Sequence, residues 1–258
     1  MIFTALDQRI RRAFSNAAMQ YDVLASLQKE IGRELVKKID SLDDVRFILD
    51  VGMGTGWMTN RLANLFPDAK VIGLDCAFGM LEQACKKYEG LYAIQADARA
   101  LPFKGEVFDV VISNLAYQWV ADLNKAFAES HRLLKKNGTL CLTMFGRETL
   151  KELFTSLEAV NGEKFAVQRL ANRTAIEASL KESHFENITL ETETIKVHFP
   201  DMLSLVKWLK DIGANILPKN GFVGKELMLE AGEFYQTNFS DRLGIIATFE
   251  VVWIKAQK

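Results

Sequence analysis

Residues 48–57 read ILDVGMGTGW: a short apolar run, an acid, then Gly52, Gly54 and Gly56 alternating with other residues. Glycines at this spacing permit a tight turn and let the backbone approach a ligand closely. The dinucleotide pattern G-x-G-x-x-G would place its third glycine at position 57, where this chain has Trp57. A pyrophosphate on the helix start would also leave Asp50 unexplained, whereas a carboxylate beside the loop suits a ligand bearing an ammonium group. Two further acids fit the same ligand. Asp75 ends the run KVIGLD, where a carboxylate can accept both hydrogen bonds of a ribose diol. Asp97 ends LYAIQAD, placed to accept from the exocyclic amine of an adenine. Amino acid, ribose and adenine together describe S-adenosylmethionine. Asp50 or Asp97 alone would read equally well as a turn cap, since Asp is a common turn residue; the set at successive run ends carries the expectation.

These acids need a scaffold that brings strand ends together. Strand-like runs at 46–52, 70–75, 91–97, 108–114 and 138–145 are rich in Val, Ile and Leu, as buried parallel strands are. Helical patterns at 57–66, 77–88 and 123–135 lie between them, the last with lysines in its final turn and Gly138 as its stop. Such alternation implies a parallel sheet with helices on both faces, and ligands bind outside the carboxyl ends of its strands. Beyond residue 146 the pattern loosens. Helices are expected at 148–160 and 172–182, and a half-exposed strand at 187–199. A helix at 201–213 closed by Gly213, a polar stretch with Pro218, Asn220 and Gly221, a helix at 225–236 and a final strand at 243–256 follow. One domain, 1–258, is expected. It divides into a helical lid at 1–40, a cofactor-binding core at 46–146, and a part at 147–258 that completes the sheet with a helical insertion at about 200–237.

Composition removes other classes. With 49% hydrophobic and 25% charged residues the chain can bury a full core, and a net charge of −1 advertises neither nucleic acid nor an anionic membrane. Cys76, Cys85 and Cys141 form no CxxC pair and His131, His184 and His198 are scattered, so no metal is expected. MIFTALDQRIRRAF is not built as a signal peptide, and no apolar run approaches ~18 residues. A soluble, cytoplasmic monomer is the expectation.

The stretches LDVGMGTG, GLD, ADARALPF, FDVVISNLAYQW and LLKKNGTLCLTMFG resemble the class I S-adenosylmethionine-dependent methyltransferases across residues 46–146. The resemblance implies a Rossmann-like seven-stranded sheet, mostly parallel with an antiparallel last strand. An N-terminal helical lid and a helical insertion between the last two strands complete it. It extends the donor site to Cys76, Met80, Ala98 and Asn114. Nucleic-acid amino methylation is disfavoured, because Leu115 and Ala116 stand where an N-P-P-Y turn has prolines.

RIRRAFSNAAMQYD (9–22), SNLAYQW and LVKWLKDIGAN (205–215) resemble a narrower group, the malonyl-[acyl-carrier protein] O-methyltransferases that open biotin synthesis. That group often has Cys where this chain has Met53, a position expected to contribute backbone. The implied reaction moves a methyl from S-adenosylmethionine to the free carboxylate of a malonyl thioester, carried by acyl-carrier protein or coenzyme A, and leaves S-adenosylhomocysteine. Such a carboxylate is ionised at neutral pH and needs no general base. Tyr21, with Phe14, would close the lid; Tyr117 and Trp119 would line the acceptor side; Arg147 would grip the carboxylate. Arg11, Arg12, Lys207 and Lys210 would dock the acidic carrier, and Lys37, Lys38, Lys135 and Lys136 are assigned to solvated helix ends. Another small acceptor, a nicotinamide-dependent oxidoreductase and a non-catalytic cofactor-binding module remain as alternatives.

Overall fold

The computed structural model describes residues 4–39, 41–162, 170–214 and 224–258. Strands β1 (Phe47–Val51), β2 (Lys70–Asp75), β3 (Tyr92–Gln95), β4 (Phe108–Asn114) and β5 (Leu134–Phe145) pair in parallel in the order β3-β2-β1-β4-β5. The order reverses at β1, so the crevice between the carboxyl ends of β1 and β4 is where a ligand is expected. β6 (Glu186–Phe199) forms the far edge. β8 (Gly244–Gln257) lies between β5 and β6, antiparallel to both, and the two-residue β7 (Ser240–Asp241) pairs with its start.

Helices α3 (Trp57–Leu65), α4 (Phe78–Lys87), α5 (Leu123–Leu133) and α7 (Arg173–Glu182) connect the strands, and α2 (Ser26–Lys37) packs beside α3. Period-two alternation divides the core. Val111 of β4 joins Phe127 and Leu180 on one face, while Val110 and Ile112 join Ile31, Leu35 and Leu62 on the other. Each of these side chains is fully or almost fully buried and contributes about 1.5–3 kcal/mol of apolar burial. A third cluster joins α6 (Lys151–Asn161), α8 (Met202–Asp211) and α9 (Lys225–Asn238) to β8 through Leu157, Leu205, Tyr235 and Phe249.

The expected elements are present, with one boundary corrected. The helix expected to end at 135 stops at Leu133, and Leu134 already starts β5. Leu133 and Leu134 are fully buried, and Lys135 pairs with Asp109 at 2.7 Å, so Lys135 and Lys136 belong to the sheet rather than to a helix end. Gly213 does close α8, in the left-handed conformation at φ +80°. Pro218, Asn220 and Gly221 lie outside the described residues.

α1 (Ala5–Leu24) is the element that shapes the site. Thr4 and Asp7 form a reciprocal capping box at its start. It packs against α4 and α8, with the backbone of Ser15 so close to Gly79 that an added Cβ would sit 2.5 Å from a carbonyl oxygen. No helix among the described residues is long and apolar enough to cross a membrane.

Candidate active site

The glycine turn follows β1 directly. Gly52, Gly54 and Gly56 have φ of +77°, +55° and +79°, conformations that side chains make costly. A Cβ on Gly52 would lie 2.2 Å from that of Ala116, whereas Gly54 faces open space. Inside the turn the amides are spent on the protein. Gly52 and Met53 donate to the Leu74 carbonyl at 2.8 and 2.9 Å, and Gly56 donates to Met53 at 3.0 Å. Gly54 donates to Asp75 Oδ2 at 2.9 Å. A phosphate would find these donors already engaged, so the turn suits close approach of a ligand rather than a pyrophosphate cradle.

The three strand-end acids are placed differently. Asp75 borders the cleft, its other oxygen accepting from Ala77 N–H at 2.8 Å. Burial raises its pKa, opposed by the N–H groups of Ala77, Gly54 and Cys76. Three N–H donors on roughly four lone-pair sites leave acceptor capacity for a ribose hydroxyl.

Asp97 also borders the cleft, but Arg99 grips it in bidentate fashion, Nε to Oδ1 at 2.9 Å and Nη2 to Oδ2 at 2.8 Å. Burial would raise its pKa, yet the hydrogen bonds and charge of Arg99 hold it below the usual carboxylate range. Its first partner is a protein cation, and an adenine amine would share what acceptor capacity remains.

Asp50 departs from expectation. It is fully buried beneath the turn, and Val51 and Gly52 form the cleft wall there instead. Thr59 Oγ1 donates to its Oδ2 at 2.6 Å, while Oδ1 has no partner. Burial pushes its pKa up to about 7 despite the Thr59 bond, with the Asp75 charge adding to the rise.

The cleft is a partly open cavity of about 120 Å³. Cys76, Met80 and Ala98 line its apolar wall near Asp75 and Asp97. Burial, then the charges of Asp75 and Asp97, lift the Cys76 thiol to about 12, which makes it an inert surface. Asn114 borders the cleft while its side chain donates to the Gln28 carbonyl and accepts from Thr143, both at 2.8 Å. An apolar slot beside a carboxylate with acceptor capacity to spare and an amide-satisfied glycine turn fits S-adenosylmethionine. Asp75, Gly52, Gly54, Cys76, Met80 and Ala98 are the residues that would hold it.

Beside Met80 and Ala77 the wall becomes aromatic. Phe14 and Tyr21 descend from α1 to meet Trp119 of the 3₁₀ turn Tyr117–Trp119, with Phe14 and Trp119 edge to face at 5.3 Å. Burial, then the negative charges of Asp75 and Asp22, raise the Tyr21 phenol far above its ordinary range, so it stays protonated. Tyr117 lines the wall, but it stacks on Phe127 and its hydroxyl pairs with the buried Ser130 at 2.6 Å. Leu115, at φ +53°, is a non-glycine residue in left-handed backbone between β4 and this turn.

Two expected cations are elsewhere. Arg147 is exposed in the turn after β5 and does not line the cleft, because the chain leaves the sheet there towards α6. Arg11, expected on a docking surface, instead borders the cleft and donates from Nε to the Cys76 carbonyl at 3.0 Å. Arg12, Lys207 and Lys210 are exposed, with Lys207 paired to Asp211. Asp7, Ile10, Arg99 and Val120 line the cleft though the sequence reading does not single them out, and Leu115, noted there for replacing a proline, lines it too. Of the former, only Asp7 carried a sequence signal, as the acid of the T-x-x-D box.

The chain is similar to known methyltransferases in sequence and in fold. Residues 49–142 match the model of a family described as "Methyltransferase domain". The chain is 33% identical over 253 residues, 95% of its length, to 92% of a malonyl-[acyl-carrier protein] O-methyltransferase of Methylococcus capsulatus. It is 31% identical, over 97% of its length, to 47% of a biotin biosynthesis bifunctional protein of Teredinibacter turnerae. A solved putative methyltransferase of Bacillus halodurans shares the fold at TM-score 0.60 and 20% identity, covering 88% of this chain and 98% of that one.

Proposed function

The chain belongs to the class I S-adenosylmethionine-dependent methyltransferases, and from that premise we propose that its acceptor is the free carboxylate of a malonyl thioester on acyl-carrier protein. The observation that carries this reading is the content of the acceptor end. Phe14, Tyr21, Leu115, Trp119 and Val120 line it, and His131, His184 and His198 do not. A phenol or carbon acceptor needs a base to take its proton, whereas a carboxylate is already ionised. Tyr21 is held protonated and the Tyr117 hydroxyl is committed to Ser130, so neither is placed to act as that base.

When bound, the donor supplies an electrophilic methyl group on a sulfonium. The chain's own contribution is then orientation and dryness. Gly52, Gly54 and Asp75 fix one reactant, and Phe14, Tyr21 and Trp119 close the acceptor end against water. The relatives' names support the malonyl carrier as acceptor and a place at the start of biotin synthesis. Arg12, Lys207 and Lys210, exposed on α1 and α8, are the cations we assign to meeting the acidic carrier.

Mass spectrometry of malonyl-carrier protein after incubation with S-adenosylmethionine tests the proposal. A gain of one methylene, reversed by an esterase, is expected, and malonyl-coenzyme A in parallel measures what the carrier adds. Unmodified malonyl-carrier protein alongside methylation of another metabolite would overturn the acceptor.

A further inference from the structure

α1 is tied down at both ends, and each tie runs to a loop of the donor site. At its start, Asp7 Oδ2 accepts from Arg99 Nη2 at 3.1 Å, and that same guanidinium clasps Asp97. These side chains are nearly enclosed, with Arg99 11% and Asp7 8% exposed. At its end, Asp22 accepts from Thr55 Oγ1 at 2.9 Å, inside the glycine turn, and from Lys87 of α4 at 2.6 Å. Lys29 completes the group at 3.1 Å. Between the ties, Arg11 holds the Cys76 carbonyl, and Ile10, Phe14 and Tyr21 roof the cleft.

We propose that α1 is a strap across the donor, with Asp7, Arg99 and Asp22 as positioning residues that set how tightly and how long the donor is held. The inference rests on the donor reading of the cleft and not on which acceptor is methylated. The ties reach both chemical ends of the site: Arg99 orients Asp97 while anchoring the helix start, and Thr55 links the helix end to the turn. A donor beneath a docked strap leaves only when these ion pairs part, and bound donor stabilises the docked helix by the same free energy. Asp7 serves two masters, since the oxygen that takes Arg99 also accepts from Thr4 N–H at 2.9 Å and caps the helix.

The test needs no acceptor. S-adenosylmethionine is titrated into the protein and chased out by stopped flow, followed by tryptophan fluorescence, with Trp119 in the cleft wall as reporter. Asp7→Asn keeps an oxygen for the cap but loses the ion pair; Thr55→Val removes the hydroxyl at the other end. Each is expected to raise Kd about tenfold, equivalent to ~1.4 kcal/mol, chiefly through faster release, and Asp7→Glu is expected to recover part of the loss. Kd and release rate within about twofold of the parent for both single variants would overturn the strap, as would a lowered Tm with unchanged Kd, the signature of a merely structural tie. Should Asp7→Asn fail to fold, Thr55→Val and Lys87→Ala carry the same comparison. A parent protein that does not bind the donor would instead overturn the donor reading of the cleft.

Discussion

On the donor side of the cleft the backbone itself is bonded into place: Gly52 and Met53 to Leu74, Gly54 to Asp75, Ala77 to Asp75. On the acceptor side main-chain bonds hold the turn, Leu115 N–H to the Thr143 carbonyl at 3.1 Å and Trp119 N–H to the Ala116 carbonyl at 3.0 Å, but the wall itself is made of side chains. Phe14, Tyr21, Leu115 and Trp119 come from a helix and a short turn, joined by ring packing and held by ion pairs at a distance. A site wall made of main chain is insensitive to most side-chain changes and intolerant of a few backbone ones. A wall made of side chains can be rebuilt one residue at a time. One donor site can therefore serve many acceptors on the same fold, because specificity resides in the part that is easily exchanged.

Five substitutions test that contrast, from the largest effect down. Gly52→Val puts a branched side chain at positive φ and against Ala116; a loss on the order of 3 kcal/mol or more and no measurable donor binding are expected in denaturation and titration experiments. Parental affinity in that variant would remove the turn from the donor site. Asp75→Asn should raise donor Kd about 30- to 100-fold, ~2–3 kcal/mol, by removing a charged acceptor that also braces the turn.

Asp50 gives the donor side a pH signature. Its folded pKa, about 7, lies above the unfolded value near 3.8, so the folded state holds an extra proton between them. Stability therefore falls as pH rises through that window and levels off above 7. Denaturant curves at pH 5 and 8 should show a difference of about 2–3 kcal/mol that Asp50→Asn removes. Asp7, Asp22 and Asp97 act oppositely: burial raises each, but the Thr4 N–H and then Arg99 at Asp7, Lys87 with Thr55 and Lys29 at Asp22, and Arg99 at Asp97 prevail, so their stabilisation is present above the usual carboxylate range and lost on acidification. A pH profile unchanged by Asp50→Asn would mean the buried acid is relieved in some other way.

Trp119→Leu probes the acceptor side. Loss of the edge-to-face pair with Phe14 should raise acceptor KM about fivefold, ~1 kcal/mol, with donor Kd nearly constant. Equal effects on both ligands would erase the distinction between the two walls. Arg147→Ala should change stability by less than about 0.5 kcal/mol and leave the rate at parental level in the mass-spectrometric assay, since the side chain is exposed outside the cleft.

The same contrast explains what could be read from the chain alone. β1, β2 and β4 announce themselves because a strand covered on both faces admits few polar residues, and the glycines announce the turn because little else fits positive φ. Side-chain direction is another matter. Arg11 and Arg12 are neighbours about 100° apart around α1, so one enters the cleft and the other meets solvent, and only the docked helix decides which. Asp50 and Asp75 both sit in strand-end motifs, yet one turns beneath the loop and the other borders the ligand space. The Asp7–Arg99 pair joins residues 92 positions apart, and no local pattern encodes it. The end of α5 deceives for the opposite reason: Lys135 and Lys136 look like a helix terminus, but the buried Leu134 before them already belongs to the sheet.

The position of β8 bears on how the molecule is made. It fills the gap between β5 and β6, although both precede it in the chain. While synthesis proceeds, the five parallel strands can associate, but β5 keeps an open flank and β6 has no neighbour to pair with. Both edges offer unpaired amides and carbonyls to any other strand nearby. Only when residues 244–257 leave the ribosome can one segment close both. A message broken or a chain clipped before that point would yield a body with a nearly complete donor cleft and two adhesive edges, prone to self-association rather than to simple unfolding.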